Sequence, residues 1–252
     1  MKRSGNTILV TGGGSGIGAA LARRFADLGN SVIVAGRRRD ALEATIAGRP
    51  NMAAMPLDID SAAAIDAFAR DLVAAHPMLN VVINNAGIMR NETLDQHRDL
   101  ADAEATIVTN LLGPIRLINA LIDHLSAEPD AAIVNVSSGL GFTPLVTAPV
   151  YSATKAAIHN YTLSLREALK GKVEVIELVP PAVQTGLTPG QEHAKGYMPL
   201  SDFVDQVMAL FGETPTPPEI LVEAVKFLRN SEVEGAVGER VSLIAERVRQ
   251  SR

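Results

Sequence analysis

The sequence predicts an α/β fold: a doubly wound parallel sheet between two layers of helices, an αβα sandwich forming a single domain over residues 1–252. Three observations predict it. Short Ile- and Val-rich runs alternate with longer stretches of helical apolar spacing, the pattern of successive βαβ units. The short runs are apolar throughout rather than on alternate positions, as strands buried on both faces require. No repeat, low-complexity tract or long linker divides the 252 residues, a length one core can serve.

Taken in order, strands are expected at 7–10, 31–35, 52–57, 80–83, 131–136 and 173–179. Helices are expected between them near 17–28, 39–47, 62–74, 100–125 and 150–170. Crossovers joining parallel strands should be right-handed. Ser61 is placed to cap the third helix, and Gly171 to end the fifth. Thr216-Pro217-Pro218-Glu219 combines a capping Thr, an early Pro and a Glu three residues on, which predicts a helix running to about Arg229. Periodicity is weakest from 182 to 200, and a substrate lid is expected at about 182–212.

Composition removes several function classes. The net charge of −5 and a pI of about 5.6 speak against nucleic-acid binding; Arg37-Arg38-Arg39 is the only dense basic run. With no cysteine there is no disulfide, thiolate chemistry or Cys-ligated zinc. The five histidines show no ligand spacing, so no metal is expected; His193 falls in the expected lid. The uncharged stretch 131–154 contains Asn135, Ser137, Ser138, Gly139, Gly141, Pro144 and Pro149, which suit a strand, a loop and a helix start rather than a membrane span. The apolar run near the start is too short for a signal-peptide core. The expectation is a soluble, cytoplasmic protein with no membrane or nucleic-acid partner.

The first strand runs into Thr11-Gly12-Gly13-Gly14-Ser15-Gly16-Ile17-Gly18 and then a helix. A glycine turn there lets backbone approach a pyrophosphate, and the helix N-terminus offers free N–H groups. The absence of a Gly-Lys-Ser/Thr ending argues against an ATP-type loop. This is a Rossmann-type arrangement. The second expected strand ends at Val34-Ala35-Gly36-Arg37-Arg38, with two guanidiniums where an acid would hold the ribose of NAD. Guanidinium forks suit a phosphate, so NADP(H) is expected over NAD(H), with Arg37 the main contact and Arg38 a second.

Tyr151 and Lys155 stand four apart in an expected helix, one turn from each other on the same face. A nearby ammonium should lower the phenol's pKa and make it a proton donor near neutral pH. Ser138, at the end of the preceding strand, is placed to bind the oxygen that the phenol protonates. That is a kit for reducing a carbonyl or oxidising an alcohol.

Together these motifs resemble the short-chain dehydrogenase/reductase family, over nearly the whole chain. The resemblance rests on the glycine turn, Asp58, Asn84-Asn85-Ala86-Gly87, Asn110, Ser138, Tyr151 and Lys155, in order and spacing. Within the family the chain is most similar to a bacterial subgroup of DltE-like oxidoreductases, through Ile88-Met89-Arg90-Asn91, Val136-Ser137-Ser138-Gly139-Leu140, Ala148-Pro149-Val150-Tyr151 and Val179-Pro180-Pro181-Ala182-Val183.

The resemblance implies a catalytic tetrad. Tyr151 exchanges the proton, Ser138 binds the substrate oxygen, Lys155 holds the nicotinamide ribose and tunes Tyr151, and Asn110 holds a water in a relay to Lys155. It implies cofactor contacts from Gly12, Ser15, Gly16, Ile17, Gly18, Asp58, Ile59, Asn85, Ala86 and Gly87, and from Pro181, Val183 and Thr185 past the sixth strand. Substrate walls are expected at Met89, Ser138, Leu140, Leu145 and Val183, with Phe142 and Arg90 nearby. The pairing of long helices between subunits in the family, with the small residues Ala153, Ala156 and Ala157, implies a homodimer or homotetramer.

Two departures stand out. Pro181 replaces the family's usual Gly and has no N–H. The segment Gly238-Glu239-Arg240-Val241-Ser242-Leu243-Ile244 lacks the usual Asp-Gly-Gly ending, so a modified last strand is expected there, followed by a disordered or interfacial basic tail from Arg247.

The function expected is NADP(H)-dependent interconversion of a secondary alcohol and a ketone or aldehyde carbonyl. The alternatives are a non-catalytic NADP-binding sensor or scaffold on the same fold, or an acyl-carrier-protein reductase. The intact tetrad separates the first from the sensor. The docking surface that an acyl carrier needs has only Arg90, Arg116 and Lys195 as obvious candidates.

Overall fold

Residues 1–250 are described by the computed structural model. Seven parallel strands lie side by side: β1 (Thr7–Thr11), β2 (Ser31–Gly36), β3 (Met52–Pro56), β4 (Leu79–Asn84), β5 (Ala132–Val136), β6 (Glu174–Leu178) and β7 (Glu219–Ile220). Their order across the sheet is β3-β2-β1-β4-β5-β6-β7, with parallel pairing at every step. The chain winds outward from β1 in one direction and, beginning with β4, in the other. The topological switch therefore falls between β1 and β4, where such sheets open a crevice beyond their carboxyl ends.

Two apolar cores flank the sheet because each strand sends alternate residues to opposite faces. Ile8, Val10, Val81 and Val134 pack with Phe25 and Phe203 on one side; Leu9, Val82 and Ile133 pack with Phe68, Leu117 and Leu121 on the other. The first side is covered by α1 (Gly16–Asp27), α2 (Arg39–Ile46), α7 (Leu200–Phe211) and α8 (Glu223–Arg229). The second carries α3 (Ala62–Ala75), α4 (Ala101–Ile107), α5 (Gly113–Ala127) and α6 (Pro149–Ala168). The stretch Ala101–Ala127 is long and apolar enough to cross a membrane, but Leu117, Ile118, Leu121 and Leu125 are spent on this core. Ser61 accepts the Ala64 N–H at 3.2 Å and starts α3 as expected.

Three expectations are corrected. Thr216-Pro217-Pro218-Glu219 opens no helix. It leads into β7, because the prolines keep the backbone extended and the Pro218 carbonyl accepts the Glu177 N–H at 2.9 Å; the helix begins only at Glu223. The segment 238–244 is not a strand but part of α9 (Val237–Gln250). Val237, Val241, Ile244 and Val248 recur there at helical spacing, which outweighs their β propensity. Arg247 and Arg249 of the expected tail belong to the same helix, and residues 251–252 lie outside the described residues.

The third correction concerns the expected lid. Its second half is α7, with Phe203, Val204, Val207 and Phe211 buried against α1 and the sheet. Its first half folds onto itself: Val183 bridges to Met198, the Gln184 N–H donates to the Met198 carbonyl at 2.9 Å, and the Met198 N–H donates to Ala182 at 2.9 Å. Residues 182–199 form no α-helix and carry only the Val183–Met198 bridge and the 3₁₀ turn Gln191–His193.

Candidate active site

At the carboxyl end of β1 the chain turns through glycines because nothing larger fits. Gly12 has φ +66°, and a Cβ there would lie 2.9 Å from Ala86 Cα. A Cβ on Gly18 would lie 2.4 Å from Asn85 Nδ2. Thr11 and Asn85 clasp this turn to the end of β4. Thr11 Oγ1 accepts the N–H groups of Asn85 and Ala86 at 3.0 and 3.1 Å, and Asn85 Nδ2 donates to the Thr11 carbonyl at 3.0 Å. Asn84 braces the sheet, donating to Asn135 Oδ1 at 2.9 Å.

A cavity of about 170 Å³ opens beside the turn, walled by Gly12, Ser15, Arg37, Arg38, Ile59 and Gly87 among others. Both guanidiniums reach across its mouth: Arg37 Nη1 lies 3.4 Å from Asp60 Oδ2, and Arg38 Nη2 lies 3.4 Å from Ser15 Oγ. Asp58 is exposed, and its carboxylate accepts the Asp60 N–H at 3.2 Å. Asp60, which the sequence reading passed over, is the residue that ties Arg37 to the crevice; it also accepts Thr109 Oγ1 at 2.6 Å. On the far rim, Thr185 is buried, and a Cβ on Gly16 would lie 3.4 Å from it. Val183 is buried, and Pro181 is half-buried. A larger hollow of about 620 Å³, among Met1, Lys2, Lys172 and Glu213, contains none of these groups.

The four candidate catalytic residues converge beyond β4 and β5. Tyr151, Lys155, Ser138 and Asn110 are all buried. Ser138 caps a one-turn 3₁₀ helix, Gly139–Gly141, its Oγ accepting the Leu140 N–H at 3.1 Å. That turn seats directly on α6: a Cβ on Gly141 would lie 2.9 Å from the Lys155 backbone. Lys155 Nζ donates to the Val136 carbonyl at 2.8 Å and lies 5.6 Å from the Tyr151 ring centre.

Burial dominates the electrostatics. It pushes the Tyr151 phenol up to about 12, against a smaller downward pull from the Ser138 hydrogen bond. It pushes the Lys155 ammonium down to about 8, against an upward pull from Glu177. The expectation that Lys155 lowers the phenol is thus corrected for this structure: desolvation wins, and Ser138, not Lys155, is what opposes it.

Asn110 sits in a π-helical turn, Val108–Leu112, between α4 and α5. The expected uninterrupted helix at 100–125 is therefore broken here. Pro114, four residues on, has no N–H to give the Asn110 carbonyl, so the regular i+4 ladder cannot continue at this point. The Asn110 side chain is fixed twice to Ile88, accepting its N–H and donating to its carbonyl, both at 2.8 Å. Its Nδ2 also lies 3.3 Å from Thr154 Oγ1, on the turn that carries Tyr151 and Lys155.

Glu92 is a further residue the sequence reading missed. Its buried carboxylate accepts the Val150 N–H at 3.1 Å, at the start of α6 and one residue before Tyr151. Its other oxygen lies 2.7 Å from Arg98 Nη2, an ion pair without an aligned hydrogen bond. No local motif marks it. Of the candidate substrate walls, Met89, Leu140 and Leu145 are half-buried beside this site. Phe142 belongs elsewhere: its ring packs on His159 and under Arg229. Arg90 is exposed and lies 3.5 Å from Asp102.

Residues 6–196 match the family model of the short chain dehydrogenases. The chain belongs to the short-chain dehydrogenase/reductase family. Like the members it resembles, it is an oxidoreductase with a nucleotide-binding Rossmann fold. It is 38% identical over 236 residues to the uncharacterized oxidoreductase DltE of Bacillus subtilis, covering 92% of this chain and 93% of that one. It is 33% identical to the NADP-dependent 3-hydroxy acid dehydrogenase YdfG of Salmonella typhi, over 70% of this chain and 72% of the relative. Among solved structures, the closed form of a serine dehydrogenase complexed with NADP+ superposes with a TM-score of 0.75 at 26% identity, covering 84% of this chain and 90% of the other.

Proposed function

We propose that this short-chain dehydrogenase/reductase is an NADP(H)-dependent enzyme interconverting an alcohol and its carbonyl compound, with Tyr151 as the proton donor and acceptor. The observation that carries the reading is the convergence of Tyr151, Ser138, Lys155 and Asn110 beside the glycine turn and its cavity. The residues fit the cofactor: Gly12 and Gly18 leave the turn free of side chains, the start of α1 adjoins it, and two guanidiniums flank the cavity. The pyrophosphate belongs against Gly12, Ser15, Gly16, Ile17 and Gly18, and the adenosine ribose with its extra phosphate against Arg37 and Arg38. Ala86 and Gly87 border the path toward Tyr151, and Lys155 is placed to hold the nicotinamide ribose. The bound dinucleotide supplies or accepts the hydride.

The chain's own groups handle the oxygen. During reduction, negative charge develops on the carbonyl oxygen as its carbon accepts the hydride. Ser138 donates a hydrogen bond to that oxygen, and Tyr151 transfers its proton to it, giving the alcohol. A phenol held at about 12 stays protonated at neutral pH, which suits reduction. Half-buried Met89, Leu140 and Leu145 favour a medium-sized organic carbonyl over a highly charged one. The exposed Ala153, Ala156 and Leu163 along α6, with Ile107 and Leu112 nearby in sequence to Asn110, support a homo-oligomer, readable by light scattering.

The test is a pair of fluorescence titrations with NADPH and NADH, followed by a screen of ketones and aldehydes with the preferred cofactor. NADPH should bind at least about tenfold more tightly, one charge-assisted contact being worth on the order of 1.5 kcal/mol or more. Equal or tighter NADH binding would remove the role given to Arg37 and Arg38.

A further inference from the structure

The ammonium of Lys155 is enclosed, and its hydrogen-bond partner is a neutral carbonyl. A buried ammonium surrounded by neutral groups tends to shed its proton. The strand beside β5 carries the group that opposes this. Glu177, in β6, has no exposed side-chain surface. Such a carboxylate needs partners, and it has two. Its Oε1 accepts Ser137 Oγ at 2.5 Å, and its Oε2 lies 2.7 Å from His159 Nδ1. His159 follows Lys155 by one turn of α6, so both side chains project from the same face of that helix.

Glu177 acts directly on Lys155 of α6 and Arg229 of α8, while Arg229, His159 and Arg166 act on its neighbour Glu219 of β7, and Glu232 acts on Arg229. Ligand atoms of His159, Glu177 and Glu219 lie within 4.8 Å of one another. Arg229 grips Glu219 with two hydrogen bonds of 2.8 and 2.9 Å, so those two charges largely cancel. Arg166 spends its guanidinium on the carbonyls of Val175 and Pro218. Glu177 receives no guanidinium hydrogen bond among the described residues, and its field falls on Arg229 as well as on Lys155 and His159.

We propose that Glu177 is the buried counter-ion of Lys155, a positioning residue that keeps the ammonium charged from beneath the site, and that His159 shares the same carboxylate from the rim. The upward pull of Glu177 on Lys155, against burial, has the sign this requires. The relevance to turnover rests on the proposed role of Lys155, but the ammonium's titration can be read without turnover.

The experiment follows the side-chain signal of Lys155 by NMR in isotope-labelled full-length protein, assigned with Lys155→Arg, and measures the alkaline limb of carbonyl reduction alongside. In Glu177→Gln, which keeps the shape and removes the charge, the Lys155 titration should move to lower pH by on the order of one unit. The alkaline limb should move with it, an effect that mere loosening of the sheet would not give. A Lys155 titration unchanged in Glu177→Gln overturns the proposal. A titration that falls while the limb stays put upholds Glu177 as counter-ion and overturns instead the catalytic use of Lys155. His159→Lys sets a permanent cation against the carboxylate and should lower the titration too. It serves if Glu177→Gln does not fold, and an unmoved titration there overturns the proposal equally.

Discussion

At the scale of single residues, the site is a set of groups taken from water for a purpose. Tyr151 and Lys155 both meet burial first and neighbours second, which is why one rises and the other falls. The glycines work by what they lack. Gly18→Ala would drive a Cβ into Asn85 Nδ2 and the Gly12 carbonyl, so the clasp between the turn and β4 must open. Cofactor affinity should fall at least about tenfold while the fold persists, as a tighter-than-contact backbone clash costs upwards of roughly 1 kcal/mol; titration of NADPH alongside circular dichroism checks both. Replacing Arg37 and Arg38 together by Ala should weaken NADPH by about tenfold to a hundredfold and leave NADH within a factor of about two, as the proposed binding of the extra phosphate by those forks requires. Loss of both cofactors in parallel would point instead to a collapsed cavity.

At the scale of elements, what the sequence makes legible is local, and what it hides is long-range. The strand-turn-helix of the glycine loop, the cap at Ser61 and the Tyr151–Lys155 pair each announce themselves within a few residues. The break at Asn110 was present in the sequence as Pro114, but a lone proline in an apolar helical run does not announce a π turn four residues before it. β7 was misread because its two residues are strand only by virtue of pairing with β6. α9 was misread because its valines suit either state until the helical spacing is counted. Glu92 was invisible, since its partner N–H lies 58 positions away. Glu92→Ala leaves the Val150 N–H without its acceptor and Arg98 without its counter-charge, so unfolding free energy should drop by about 2 kcal/mol, read from the urea midpoint. An unchanged midpoint would show that water replaces the carboxylate at the start of α6.

At the scale of the whole molecule, the buried pair gives the fold a pH signature. Burial brings the Lys155 ammonium down to about 8 in the folded chain from the usual 10.5 it keeps when unfolded, so the unfolded chain binds the extra proton between those values. Stability contributed through Lys155 therefore rises with pH across that window. Tyr151 acts in the opposite sense higher up: folded near 12 and unfolded near 10, it keeps a proton the unfolded chain has lost, so its contribution falls as pH rises between 10 and 12. Lys155→Met should flatten the rise above pH 8, measured by chemical denaturation at stepped pH. A variant with the parent's slope would mean that the ammonium is solvated in the folded state.

In the proposed mechanism the Tyr151 phenol moves the proton while the glycine turn and the arginines hold the cofactor. Single-turnover reduction of a carbonyl substrate of the parent enzyme, with Tyr151→Phe saturated by NADPH, tests it most directly. NADPH affinity should stay parent-like and the rate should fall by on the order of a thousandfold, the scale of a lost general acid. A rate within a few-fold of the parent's would contradict it.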